Sequence, residues 1–209
     1  MNLPNSLTLV RIFLVPLLVV VLLTEFPGRQ VFGVAKELVG AAIFALASIT
    51  DWLDGYVARR RRQVTWLGQM MDPIADKLLT SAAFISLVQL DLAPAWMVAL
   101  IIGREFGITG LRSVAYARGV AMPASPIGKA KMIAEVVAIL ALILASGADS
   151  LREPLYWIGQ TALWVVVAAA LVSAFDYFRR FNLVLNPRIA DFAAAREQRQ
   201  NAEKHVRQA

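Results

Sequence analysis

Six apolar runs, each close to the about 20 residues that carry a helix across a bilayer, take up most of this chain of 209 residues. They run roughly from Leu7 to Phe26, Val31 to Thr50 with a helical extension to Arg59, Gly68 to Leu90, Ala93 to Arg112, Ile127 to Ala145, and Leu155 to Phe175; Val31 to Glu37 mixes polar with apolar residues and reads alternatively as an interfacial turn before the second span. Such runs leave few folds open, because backbone in lipid must satisfy its own N–H and C=O groups, and a single run does so only as a helix. The expectation is an all-α integral membrane protein: a six-transmembrane-helix bundle over residues 1–185 and a polar cytoplasmic tail over 186–209. A composition of 58% hydrophobic and 17% charged residues agrees, since soluble domains hold more charge. The first run has no basic segment ahead of it and no A-x-A site after it, so it reads as a retained span.

A net charge of +6 and a pI near 10.1 invite a nucleic-acid reading. Lys and Arg stand at the ends of the apolar runs, however, where lipid head groups and the positive-inside rule account for them. No nucleic-acid partner is expected. The connections after the first, third and fifth runs hold Arg29, Lys36 and Arg152, three of the 21 basic residues. The opposite side is therefore cytoplasmic, both termini with it, which in a bacterium means the inner membrane. There is no cysteine, hence no thiol nucleophile and no thiolate metal site. The lone histidine, His205, reads as a solvated tail residue.

Polar residues within the runs are lopsided. Arg11 starts the first, Asp51 and Asp54 end the second, and Asp72 and Asp76 begin the third. Arg104 and Arg112 end the fourth; Lys129, Lys131 and Glu135 begin the fifth. Alternating spans bring all of these to one leaflet, and charges inside a membrane are costly enough to mark function. Asp51 and Asp54 lie three apart, Asp72 and Asp76 four apart, so each pair projects from one helical face. Two facing helices would gather the four acids around a point where carboxylates cannot all stay ionised alone. Hard oxygen ligands without His or Cys suit Mg²⁺, Mn²⁺ or Ca²⁺. Gly55 and Ala58 let a ligand approach the acid-bearing helix, where Arg59 can meet its phosphates. The competing reading, ion pairs with Arg59 to Arg62, leaves the spacing and the small residues unexplained.

Asp51, Asp54, Gly55, Ala58, Arg59, Gly68, Asp72 and Asp76 match at every fixed position the pattern of the CDP-alcohol phosphotransferase family. The resemblance implies a membrane enzyme that joins a CDP-linked lipid or alcohol to an acceptor hydroxyl with two Mg²⁺ or Mn²⁺ ions. It implies that Asp51, Asp54 and Asp72 hold one ion and Asp51, Asp72 and Asp76 the other, with Asp76 also the catalytic base. It sets Gly55, Ala58, Arg59, Thr65 and Gly68 against the CDP-diacylglycerol; Thr65 is outside the core pattern, and its alternative reading is a residue that caps or tethers the loop. The opening Leu3-Pro4-Asn5-Ser6-Leu7-Thr8-Leu9-Val10-Arg11 also resembles the family's first segment. Asn5, Thr8 and Arg11 share a helical face that can reach the nucleotide; an N-cap at Asn5 with Arg11 snorkelling to head groups is the alternative.

Arg104, Arg112, Lys129 and Lys131 set four cations on the leaflet of the acids, and bidentate arginines suit a phosphate-bearing acceptor better than a neutral alcohol. Otherwise they are positive-inside markers, with Glu105 steering an arginine or offsetting charge. Arg104-Glu105, the later Arg112 and Ile127-Gly128-Lys129-x-Lys131 resemble the bacterial branch that uses sn-glycerol 3-phosphate. That implies CDP-diacylglycerol and glycerol 3-phosphate giving phosphatidylglycerophosphate and CMP. The basic run Arg60 to Arg62 departs from a neutral linker but leaves the core positions intact. The same chemistry on phosphatidylglycerol or inositol phosphate is the nearest rival; a divalent-cation transporter is the rival of another class, lacking acids on the second leaflet. Small residues at Ala41, Ala42, Ala45, Ala47 and Ala168 to Ala170 suit tight helix packing. Membrane lipids and a second copy of the chain, as a homodimer, are the other expected partners.

Overall fold

The computed structural model describes residues 3–26, 28, 30–61, 66–117, 126–147 and 151–185; within these, the side chains of 3–8, 51–61, 66–74, 76, 114–117, 126–130, 176 and 178–185 lie outside the description. The tail expected over 186–209 also lies outside the described residues. Six helices follow one another: α1 (Leu3–Leu23), α2 (Lys36–Arg61), α3 (Trp66–Gln89), α4 (Ala95–Ala117), α5 (Pro126–Ala145) and α6 (Arg152–Leu185). One of them, over Arg152–Phe175, is both long and apolar enough to cross a membrane, judged on the described residues. The other helices carry charge inside their apolar runs.

The second run does not begin as a helix at Val31: a turn occupies its start, as the mix of polar and apolar residues over Val31 to Glu37 allowed. A two-stranded hairpin comes first, β1 (Gln30–Val31) and β2 (Val34–Ala35), with Gln30 opposite Ala35 and Val31 opposite Val34. Its two-residue turn needs positive φ at both central positions, and Phe32 and Gly33 supply it at 52° and 79°. The helix starts only at Lys36, whose ammonium donates to the carbonyls of Leu22 (3.2 Å) and Thr24 (3.1 Å) where α1 ends. Between α3 and α4, Asp91 takes φ 55° in a Schellman-type stop: Leu92 N–H donates to Leu87 O and Asp91 N–H to Val88 O. Gln160 of α6 donates to Leu92 O at 2.7 Å, so the start of α6 lies beside this turn.

α1 packs on α2 and α3, α5 on α2 and most extensively on α6, and α4 on α6 and α3. Their common core holds Leu18 and Leu22, Phe44, Leu79, Phe84 and Leu87, Met97 and Ile101, Ile139 and Leu142, and Leu163 and Val166. Glycines set the closest approaches. A Cβ at Gly40 would lie 2.6 Å from Leu22 Cδ2, and one at Gly159 would lie 2.6 Å from Leu142 Cγ. Large apolar residues also face outward on each helix, among them Phe13, Leu46, Ile85, Phe106, Ile133 and Phe175. Trp96, Trp157 and Trp164 are exposed, Trp96 meeting Trp164 edge-on at 5.8 Å between ring centroids.

Candidate active site

The buried stripe of each of the first three helices runs into charged positions at one end of the bundle. On α2, Gly40, Phe44 and Ala47 are buried, and the 3.6-residue period carries that stripe on to Asp51 and Asp54. On α3, Ala75, Leu79 and Ala83 are buried, and Asp72 and Asp76 share their stripe. On α1, Leu18 and Leu22 continue backwards to Arg11, itself only 1% exposed. An uncompensated carboxylate at a core register is costly, and a bound cation would compensate it.

At 1.5 Å per residue Asp54 and Asp72 lie about 10 Å from their own helix ends, Arg61 and Trp66, and Asp51 and Asp76 about 15 Å. A four-carboxylate donor set suits a hard divalent ion. Thr65 lies outside the described residues, as do the side chains of Asn5, Thr8, Asp51, Asp54, Gly55, Ala58, Arg59, Gly68, Asp72, Asp76 and Lys129. Among the described residues no group of three metal-ligating side chains occurs.

The cationic half of the site is described atom by atom. Glu105 Oε1 accepts hydrogen bonds from Arg104 Nη1 and from Lys131 Nζ, joining α4 to α5. Lys131 also pairs with Glu135 at 2.7 Å, one turn further along α5. Arg104 Nη2 donates to Ser173 and Arg112 Nη2 to the Tyr177 hydroxyl, so the two arginines lie along one seam with α6. The Arg112 guanidinium also stacks over the Tyr177 ring, 5.2 Å from its centroid. Nε of Arg104 and Nε of Arg112 are buried with no hydrogen-bond partner among the described residues. Arginines held in place yet keeping unused donors are prepared for an anion.

Lys77, next to Asp76, links the halves: its ammonium donates to Glu105 O at 3.0 Å and lies 5.9 Å over the Phe106 ring. Of the expected acceptor residues, then, Arg104 and Lys131 meet through Glu105, and Arg112 stands two turns on. Lys77, Ser173 and Tyr177 were not singled out from sequence. The adjacency of Lys77 to Asp76 was a signal, as was the one-turn spacing of Ser173 and Tyr177 at the end of an apolar run.

The family profile described as CDP-alcohol phosphatidyltransferase matches residues 1–176. A Bacillus subtilis protein named CDP-diacylglycerol–glycerol-3-phosphate 3-phosphatidyltransferase is 46% identical over 184 residues, 86% of this chain and 94% of its own length. A Rickettsia felis protein of the same name is 37% identical, over 85% of this chain and 94% of its own. A Mycobacterium tuberculosis protein named probable phosphatidylglycerophosphate synthase is 39% identical, over 86% of this chain and 81% of its own. The chain belongs to the CDP-alcohol phosphatidyltransferase family.

Proposed function

We propose that the chain transfers the phosphatidyl group of CDP-diacylglycerol to sn-glycerol 3-phosphate, giving phosphatidylglycerophosphate and CMP. What supports this reading is the cluster in which Arg104 and Lys131 meet at Glu105 while Tyr177 holds Arg112 on α6, together with the helical register shared by Asp51 and Asp54 on α2 and by Asp72 and Asp76 on α3. The relatives' names supply the two substrates, and the unused donors of Arg104 and Arg112 suit the phosphate of the acceptor. Lys129, on the first turns of α5, joins them.

The family depends on divalent metal. Asp51, Asp54, Asp72 and Asp76 would hold Mg²⁺ or Mn²⁺, two ions per site, which supply positive charge against the diphosphate as its charge redistributes. Asn5, Thr8, Arg11, Gly55, Ala58, Arg59, Thr65 and Gly68 bind and orient the nucleotide end of the donor. Asp76 accepts the proton of the acceptor hydroxyl while that oxygen bonds to the phosphatidyl phosphorus in line with the departing CMP oxygen. Arg104, Arg112, Lys129 and Lys131 hold the acceptor's phosphate so that its hydroxyl faces that phosphorus. Residues 1–185 form the six-span catalytic bundle, dimeric in the bacterial inner membrane, with the site, both termini and the 186–209 tail on the cytoplasmic side. The outward-facing apolar residues of all six helices support that placement.

The test is labelled glycerol 3-phosphate with CDP-diacylglycerol and Mg²⁺. Labelled lipid together with CMP is the expected result. Absence of labelled lipid from protein that does form product on phosphatidylglycerol or inositol phosphate would reassign the acceptor.

A further inference from the structure

Two of the described cations already hold an anion of the chain's own. Glu105 Oε1 lies between Arg104 Nη1 and Lys131 Nζ, whose side chains are 11% and 4% exposed. Buried cations are costly without a counter-charge, so the carboxylate offsets what would otherwise be an expensive empty site. Yet neither cation depends on it for position. Arg104 is also held by Ser173, and Lys131 by Glu135 at 2.7 Å. Glu105 is the most open of the three at 24% exposed, so it is the member able to withdraw towards water. Its backbone stays fixed meanwhile, because its carbonyl accepts Lys77 Nζ at 3.0 Å and Thr109 Oγ1 at 2.8 Å.

We propose that the Glu105 carboxylate stands in for the acceptor's phosphate, keeping Arg104 and Lys131 charge-balanced in the empty site and yielding both donors when a phosphate monoester arrives. This rests on reading the cations as the acceptor-phosphate site. The exchange favours phosphate because a carboxylate brings one negative charge, whereas a phosphate monoester brings about 1.5 to 2 at pH 7 and three acceptor oxygens. The Nε donor of Arg104, without a partner among the described residues, adds a bond for the incoming group that the carboxylate leaves unused. A neutral acceptor such as free glycerol has no charge with which to displace Glu105. Glu105 is thus a positioning residue that also sets acceptor specificity.

The test uses the full chain in lipid–detergent micelles, with inorganic phosphate as a competitor of glycerol 3-phosphate. In Glu105→Gln the competing anion is gone while size and packing persist. The inhibition constant of phosphate and the KM for glycerol 3-phosphate should both fall by roughly tenfold, with the KM for CDP-diacylglycerol unchanged. Glu105→Asp, which restores the charge, should move both back towards wild type. In the wild-type protein, the infrared difference spectrum on adding phosphate should show a carboxylate stretch leaving an ion pair. A phosphate inhibition constant that is unchanged or higher in a folded Glu105→Gln protein overturns the proposal, as does a wild-type difference spectrum without a carboxylate band. Wild-type protein inactive on glycerol 3-phosphate fails the underlying reading instead; active wild type with unchanged phosphate inhibition in Glu105→Gln fails this inference alone.

Discussion

Both ends of the bundle bury charge, and they hold it differently. At the hairpin end, Lys36 is 9% exposed and donates to two carbonyls that close α1, where the helix dipole favours a cation. Beside it Glu37 is 3% exposed and packs where a Cβ on Gly147 would come within 2.5 Å. At the site end, Arg104, Arg112 and Lys131 meet carboxylates and hydroxyls, partners that a rotamer change can release. Two of these arginines also retain an Nε donor without a partner among the described residues. Burial alone therefore does not distinguish a structural charge from a functional one. Movable partners and leftover donors do.

That contrast is open to attack by substitution. Asp76→Asn should lower turnover by about a thousandfold or more, as loss of a general base does, while CMP still binds. A rate near wild type in the labelled-lipid assay would remove Asp76 from the chemistry. Arg112→Ala should raise the KM for glycerol 3-phosphate by about ten- to a hundredfold, the worth of a charge-assisted hydrogen bond, and the KM for CDP-diacylglycerol much less. Equal changes in both would point instead to a folding or nucleotide role for Arg112. Lys36→Met should cost about 2 kcal/mol in unfolding experiments in detergent, since it leaves buried carbonyls unpaired, yet move neither KM. A raised acceptor KM there would dissolve the distinction between the ends. Gly159→Ala should cost about 1 kcal/mol with kinetics unchanged, because the added methyl meets Leu142 Cγ at 2.6 Å and its backbone N at 3.3 Å.

Hydropathy located every helix, because a run of that length has no other way to satisfy its backbone in lipid. Helix ends were less legible. Apolar character stops at Phe175 and Arg112, whereas α6 continues to Leu185 and α4 to Ala117, since helical hydrogen bonds do not need apolar side chains. The mix of polar and apolar residues over Val31 to Glu37 made a turn there legible, but not its pairing as a hairpin, which rests on the positive φ of Phe32 and Gly33. The shared register of Asp51 with Asp54 and of Asp72 with Asp76 was legible because helical periodicity is local, while their side chains lie outside the described residues. Glu105 was legible as a residue that steers an arginine or offsets charge, as its pairing with Arg104 shows, but its pairing with Lys131 was not. Its partner Lys131 is 26 residues away and Ser173 is 69 from Arg104, pairings that depend on how α4 meets α5 and α6.

The contact of Lys77 with the Glu105 carbonyl has a mechanical meaning. Sliding of α3 along α4 would strip a half-buried ammonium of that acceptor, so the two should travel as a rigid pair, leaving the opening for a lipid headgroup to rearrangement of α1 and α2. The chain is free of cysteine, so a single engineered disulfide stapling α3 to α4 is easily made, and it should leave turnover untouched. Loss of activity on oxidation, regained on reduction, would show that the seam itself must shear during each catalytic cycle.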